Sequence, residues 1–270
     1  MHSNKFGIMQ GRLSSAPDND NLDWFPLDKW SDEFGYAKDL GFQTIEIVID
    51  KEKNINNPIW TPYGRNQILD AFKKSQLKAY SSCINFIISN SISKEDVFVQ
   101  VSKAIEFLNE IGIELIVLPL FEKSDLKNTQ NHKNIKRILE LNKDIDNELI
   151  IEVDLQAKDL LKTLESLEIY DVGIVYDIGN STFLGHQIGE DLDLLDEKIK
   201  HIHIKDKDRS GKNVLLGEGN CDFDSFFHYP FIQKYNGFYT LETSRGINPI
   251  ESAIMNLNFL KKFLAEDYEI

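Results

Sequence analysis

Short runs of β-branched and other apolar residues alternate along the chain with longer segments whose apolar residues recur every three to four positions. The first pattern marks buried parallel strands and the second the helices that cover them. Strands are predicted at Phe6–Met9, Thr44–Ile49, Leu77–Ile84, Leu115–Pro119, Leu149–Val153, Val172–Asp177, Ile199–Ile204 and Phe238–Glu242. The helices predicted after them cover Leu27–Leu40, Gly64–Ser75, Lys94–Ile111, His132–Leu141, Lys158–Leu167, Gly189–Asp196, Phe223–Lys234 and Pro249–Leu264. Gly41 and Gly112 supply helix stops. Ser93, with Asp96 three residues on, offers a weak form of capping box to the third helix. Alternating strand and helix implies a parallel sheet, and eight such units in 270 residues match one closed, eight-stranded (β/α)8 TIM barrel. An open doubly wound sheet is the competitor, but it usually carries a glycine-rich phosphate turn after its first strand. Here that turn reads Gln10-Gly11-Arg12-Leu13. No Pro/Gly/Ser-rich linker divides the chain, so residues 1–270 read as a single domain.

Composition narrows the partners. With 41% hydrophobic and 27% charged residues, the chain is neither disordered nor a disulfide scaffold. A net charge of −14 suits it poorly to nucleic acid, whose binding rests on Lys and Arg neutralising phosphates. The two cysteines, Cys83 and Cys221, fit a reducing compartment, so a cytoplasmic location is expected. The opening MHSNKFGIMQGRLSS has no apolar core of the kind a secretory signal needs. No apolar run reaches the roughly 18 residues of a membrane span, so no membrane partner is expected.

In a barrel of this kind, reactive groups sit at the C-terminal ends of the strands. Strand five carries Glu152 there, strand six Asp177, strand seven His203 and strand eight Glu242. Three carboxylates and one imidazole suit Mn²⁺, Mg²⁺, Co²⁺ or Zn²⁺, with positions left for substrate oxygens. Each residue has a plainer reading when taken alone. A glutamate at a strand end is usually solvated rim, and Asp177 can simply cap the next turn. His201 shares a strand face with His203, and either can be a core histidine. Clustering is what favours a cation, because burying four such groups together without one carries a large desolvation cost. Arg12, Lys205, Lys207, Arg209 and Arg245 add positive charge near the rim and can take a phosphate or a carboxylate. Lys207 and Arg209 read equally as a solvated run, and Lys205-Asp206 as a structural ion pair. Glu46 points to the same rim, where it either contacts a substrate hydroxyl or is a buried, hydrogen-bonded glutamate. Trp24, Phe25, Trp30 and Trp60 either wall a ligand pocket or pack in the core.

The segments Ile151-Glu152, Val175-Tyr176-Asp177-Ile178-Gly179-Asn180, His201-Ile202-His203-Ile204-Lys205-Asp206, Leu216-Gly217-Glu218-Gly219-Asn220-Cys221-Asp222-Phe223 and Leu241-Glu242-Thr243 occur in one order along the chain. Together with Gly7-Ile8-Met9-Gln10-Gly11-Arg12-Leu13 they resemble the xylose isomerase-like TIM-barrel superfamily, in particular its sugar phosphate isomerase/epimerase branch. The resemblance implies Glu152, Asp177, His203 and Glu242 as metal ligands, with Mn²⁺ the first choice. It also implies Glu152 and Glu242 as the acid/base pair of the ketose 3-epimerase members. Asn180 stands where several members place a histidine near the substrate, and Arg209 where epimerases have an arginine on substrate oxygens. Lys205, Glu46 and Arg12 complete the candidate substrate contacts. The chain departs from the family's pattern at two places, and the first weakens a free-ketose epimerase assignment. Lys158 stands six residues after Glu152, where those epimerases have a second glutamate. Cys83-Ile84-Asn85 stands where close relatives often carry an aspartate. The resemblance further implies a homodimer paired through the outer helices.

The chemistry implied is a metal-dependent isomerase or epimerase acting on a small sugar or sugar phosphate. A divalent ion holds adjacent hydroxyl and carbonyl oxygens and acidifies the neighbouring C–H. One carboxylate removes that proton to give an enediolate, and a second returns one to the opposite face or to the neighbouring carbon. The alternatives are a metal-dependent dehydratase or lyase on a sugar acid or cyclitol, and a non-catalytic sugar-binding barrel. A DNA-repair endonuclease of the related branch needs more histidines than the six present and a less acidic chain.

Overall fold

The protein is described by a computed structural model, which covers residues 5–17, 22, 24–50, 54–141 and 146–264. Met1–Asn4, at the start of the segment that lacks a signal-like apolar core, lies outside these residues. Eight parallel strands close a barrel: β1 (Phe6–Met9), β2 (Thr44–Ile49), β3 (Ser81–Ile84), β4 (Leu115–Pro119), β5 (Glu148–Glu152), β6 (Gly173–Asp177), β7 (Ile199–Ile204) and, closing on β1, the strand Tyr239–Leu241. A small antiparallel hairpin, β8 (Asp206–Lys207) with β9 (Asn213–Val214), follows β7, so the closing strand is β10. The main outer helices are α1 (Asp32–Leu40), α2 (Pro62–Ser75), α4 (Glu95–Glu110), α5 (Thr129–Leu141), α6 (Ala157–Ser166), α8 (Ile188–Leu195) and α11 (Pro249–Leu264). Shorter helices are α3 (Phe86–Ser89), α7 (Ile178–Phe183), α9 (Phe223–Phe227) and α10 (Pro230–Lys234).

The local chemistry accounts for these limits. Gly41 ends α1 at a φ of +92°, a left-handed conformation that costs glycine little. Thr61 accepts a hydrogen bond from the Gly64 amide and Pro62 opens α2, so that helix begins two residues earlier than its apolar pattern suggests. Ser93 does not cap α4. Lys94 occupies the cap position without a side-chain bond, and the Ser93 hydroxyl instead pairs with that of Ser91. The helix expected over Phe223–Lys234 is two, because Pro230 has no N–H to continue it and starts a new helix instead.

Strand alternation sorts the side chains. Ile47, Ile116, Leu118, Ile151, Ile174, Tyr176, Ile202, Ile204 and Leu241 face outward into the main core beneath the helices. Val48, Val117, Ile150 and Val175 point into the lumen, where Tyr80, Leu115 and Phe238 join them. Two residues beyond Ile150 and Val175, on the same inward face, come Glu152 and Asp177.

Candidate active site at the C-terminal rim

Register brings the rim residues together. Asp177 lies directly across from His203 in the β6–β7 pair, and Thr240, two residues before Glu242, lies across from His203 on the other side. Glu152, Asp177, His203 and Glu242 each offer a ligand atom, and these atoms all lie within 4.8 Å of one another. His203 Nδ1 is 3.4 Å from an oxygen of Glu152 and 3.4 Å from one of Glu242, yet meets hydrogen-bond geometry with no partner among the described residues. A fully buried imidazole nitrogen aimed at converging carboxylates fits a hard or borderline divalent cation. The residues present therefore fit the metal that the resemblance implies.

Asp177 caps the turn, the plainer part considered for it, and also stands within the four-member cluster. One carboxylate oxygen accepts from the Asn180 amide at 2.7 Å and caps α7, while the other lies 2.8 Å from Lys205 Nζ. The same ammonium is 2.7 Å from Glu242, so Lys205 pairs with two candidate ligands and not with Asp206. Asp206 turns the other way and accepts from the backbone amides of Gly217, Gly219 and Cys221, which fixes the loop after the hairpin.

One layer deeper, Glu46 on β2 spans the lumen. His201 Nε2 donates to one of its oxygens at 2.9 Å and His203 Nε2 to the other at 3.0 Å, with all three side chains fully buried. The carboxylate thereby orients the His203 ring and, once Nδ1 gives up its proton to a cation, leaves that lone pair facing the cluster. Both Glu46 oxygens are engaged and the residue does not line the cavity, so it holds the buried, hydrogen-bonded place foreseen as its alternative.

The charges are unequal. Burial pushes the Glu152 carboxyl up. Burial also pushes Glu242 up, but Lys205, His203 and Arg12 outweigh it and hold that carboxyl well below the usual range. His203 is likewise penalised by burial, yet Glu46 and Glu152 raise it well above an ordinary histidine. His201, one layer down, is lowered by burial.

Above the cluster opens a cavity of about 350 Å³. Glu152, Glu242, Asn180 and Lys205 line its base, with Met9, Cys83, Asn85 and Phe121 on the walls. Asn180 Nδ2 reaches Glu152 at 3.5 Å. Arg12 is buried beside the cavity, donating to the Leu22 carbonyl, with Nη2 3.7 Å from Glu242. Arg209 is exposed and is not a lining residue, since the hairpin turn carries it outward. Lys207 does line the cavity, over the Phe183 ring. The four aromatics pack elsewhere. Trp30 meets Phe34, Trp60 meets Phe107, Trp24 lies under Arg245, and Phe25 is buried.

Two residues carry weight that their place in the sequence did not reveal. Asp154 lines the cavity while Lys158 is exposed on α6. The two-residue period Ile150-Glu152-Asp154 was the available signal. Glu33, fully buried on α1, accepts from the Gly11 and Leu13 amides at 2.6 and 3.0 Å and shapes the turn after β1. Gly11 itself sits at a φ of +85°, and a Cβ there would lie 2.6 Å from the Trp24 carbonyl.

A closed parallel barrel with convergent metal-competent side chains on its C-terminal rim has the architecture of a barrel enzyme. The family model described as xylose isomerase-like TIM barrel matches residues 34–263, and the chain belongs to that family. Among curated proteins it is similar to the L-ribulose-5-phosphate 3-epimerase UlaE of Salmonella paratyphi C, with 23% identity over 79% of this chain and 81% of the relative. Among solved structures, an L-ribulose 3-epimerase superposes with a TM-score of 0.73 at 15% identity, covering 97% of this chain and 95% of the other. The IOLI protein with a bound zinc atom superposes at 0.72 with 13% identity, covering 98% and 100%. At those identities the structural likeness speaks for the fold. Among the described residues, no helix is long and apolar enough to cross a membrane.

Proposed function

We propose that the protein is a divalent-metal-dependent sugar or sugar-phosphate isomerase or epimerase. The observation that carries this reading is the convergence of Glu152, Asp177, His203 and Glu242, of which Glu152 and Glu242 line a cavity of ligand size. Family membership and the epimerase relatives support it. Glu152, Asp177, His203 and Glu242 would hold the cation, with Mn²⁺ first among Mn²⁺, Mg²⁺, Co²⁺ and Zn²⁺. When bound, it supplies Lewis-acid polarisation of a substrate carbonyl and its neighbouring hydroxyl. Glu152 and Glu242 come from strands separated around the barrel by β6 and β7, and so can address a sugar carbon from two sides. One removes the proton beside the carbonyl and the other returns it. Lys205 and Asn180 contact substrate oxygens at the base, and Glu46 holds His203 in place. The whole chain acts as one barrel domain on a small molecule in the cytoplasm, without nucleic acid or membrane.

The test is solvent exchange. The Mn²⁺-loaded protein is incubated in D₂O with ketoses, their phosphates and inositol derivatives, and deuterium is located by NMR. Label entering a carbon beside a carbonyl is the expected result, and the labelled carbon separates epimerase from isomerase. Metal-bound protein that loses water from a substrate without such exchange would point to a dehydratase. A protein that holds no metal would overturn the proposal.

A further inference from the structure

The Lys205 ammonium stands among the candidate ligands and not outside them. Nζ lies 2.8 Å from Asp177 Oδ2 and 2.7 Å from Glu242 Oε2, and only 6% of the side chain is exposed. Both contacts are to residues of the four-member set. The placement is built into the fold. The alternation of β7 puts His201, His203 and Lys205 on one lumen-facing row. The stem of Lys205 then crosses the first turn of α7 at Gly179, where a Cβ would lie 2.4 Å from Lys205 Cγ and 2.9 Å from its carbonyl oxygen. Any larger residue there would drive the stem away. The far side is closed as well, since the Cys221 thiol donates to the Lys205 carbonyl at 3.6 Å.

We propose that Lys205 is a resident counter-ion of the metal centre. Its ammonium shares Asp177 and Glu242 with the incoming cation, holds those carboxylates together in the metal-free protein, and sets metal affinity below what the four ligands alone would give. This inference rests on the metal-centre reading above. The physics has two opposite signs. Carboxylates gathered in a buried site repel one another unless a cation sits among them. The same positive charge, pressed beside a divalent ion in a poorly screened site, repels that ion whether it stays in place or is pushed aside. Removing the charge must therefore weaken the metal-free state and strengthen metal binding. A lysine that merely filled space would weaken both states alike.

Lys205→Met and Lys205→Gln test this. Mn²⁺ affinity is read from the EPR signal of free Mn²⁺, and thermal unfolding is followed in EDTA and in saturating Mn²⁺. The Kd for Mn²⁺ is expected to tighten by about tenfold or more in both variants, as follows from loss of a charge a few ångströms from the site. The metal-free Tm is expected to fall by several degrees while the loaded Tm is held. A variant unfolded in EDTA that regains its far-UV circular dichroism on adding Mn²⁺ supports the inference equally. An unchanged or weaker Kd in both variants overturns the inference while leaving the metal centre standing, and so does a Tm loss equal in the two states or a variant that Mn²⁺ fails to refold. If neither wild type nor either variant binds Mn²⁺, the metal-centre reading falls and takes this one with it.

Discussion

Replacing Glu46 by glutamine separates a positioning role from a substrate contact. The wild-type carboxylate accepts two N–H bonds, from His201 at 2.9 Å and His203 at 3.0 Å, inside a fully buried layer. A glutamine amide has one acceptor oxygen, so it can keep only one of them. Its NH₂ group then faces the other histidine, whose Nε2 must become an acceptor. If that histidine is His203, the ring proton moves to Nδ1 and the lone pair aimed at Glu152 and Glu242 is gone. A hydrogen bond to a charged group contributes about 1.5–3 kcal/mol and a neutral one about 0.5–1.5, so with both bonds losing their charge and one reversed, unfolding stability should fall by roughly 2–3 kcal/mol. Changing such an outer partner of a metal-bound histidine usually weakens metal binding by about 10–100-fold. Isothermal titration with Mn²⁺ and denaturant unfolding measure the two quantities. Wild-type Mn²⁺ affinity in Glu46→Gln, with only KM raised, would refute the positioning argument and return Glu46 to the substrate.

Two further outcomes follow from the same site. In the metal-free protein His203 is raised above its ordinary 6.5. Its contribution is therefore complete below about pH 6.5 and is lost as pH rises through the raised value. Metal-free Tm should decline as pH rises above about 6.5, while the Tm gained on adding Mn²⁺ grows, because the metal needs a deprotonated Nδ1. A flat metal-free Tm in calorimetry with EDTA would count against this. Asp206→Ala removes the acceptor for three backbone amides at a fully buried position. Stability should drop by roughly 3 kcal/mol or more in urea unfolding, with amide exchange speeding up first in residues 217–221. Unaltered exchange there would mean the loop is held by other contacts.

The barrel was legible because buried parallel strands write themselves as apolar runs. Thr44–Ile49, Leu115–Pro119 and Ile199–Ile204 have the limits their pattern predicts. The four rim residues were legible because each stands within one residue of the C-terminal end of a strand. What stayed hidden depends on distances across the lumen. Glu46 and His201 are 155 positions apart, and only closure of the sheet brings β2 opposite β7. The choice of Lys205 between its neighbour Asp206 and the more distant Asp177 and Glu242 is set by alternation, which sends adjacent residues to opposite sides. The exposure of Arg209 turns on a two-residue hairpin, β8 with β9, too short to leave a periodic signal. The break before Pro230 was written in the sequence as a proline inside an otherwise helical pattern.

The lumen carries its own apolar cluster, with Tyr80, Leu115, Val117 and Phe238 lying beneath the Glu46–His201 layer. That cluster is a floor, and it makes the site a blind-ended well. A substrate of the proposed reaction would reach the cluster past Asp154 and Lys207, which line the cavity above it. The reacting groups stand on rigid strands at the bottom, while the mouth is made of connecting segments whose sequence the barrel does not dictate. On the proposed function, selectivity and chemistry would then lie in separate parts of the chain, and the first could be recut without disturbing the second.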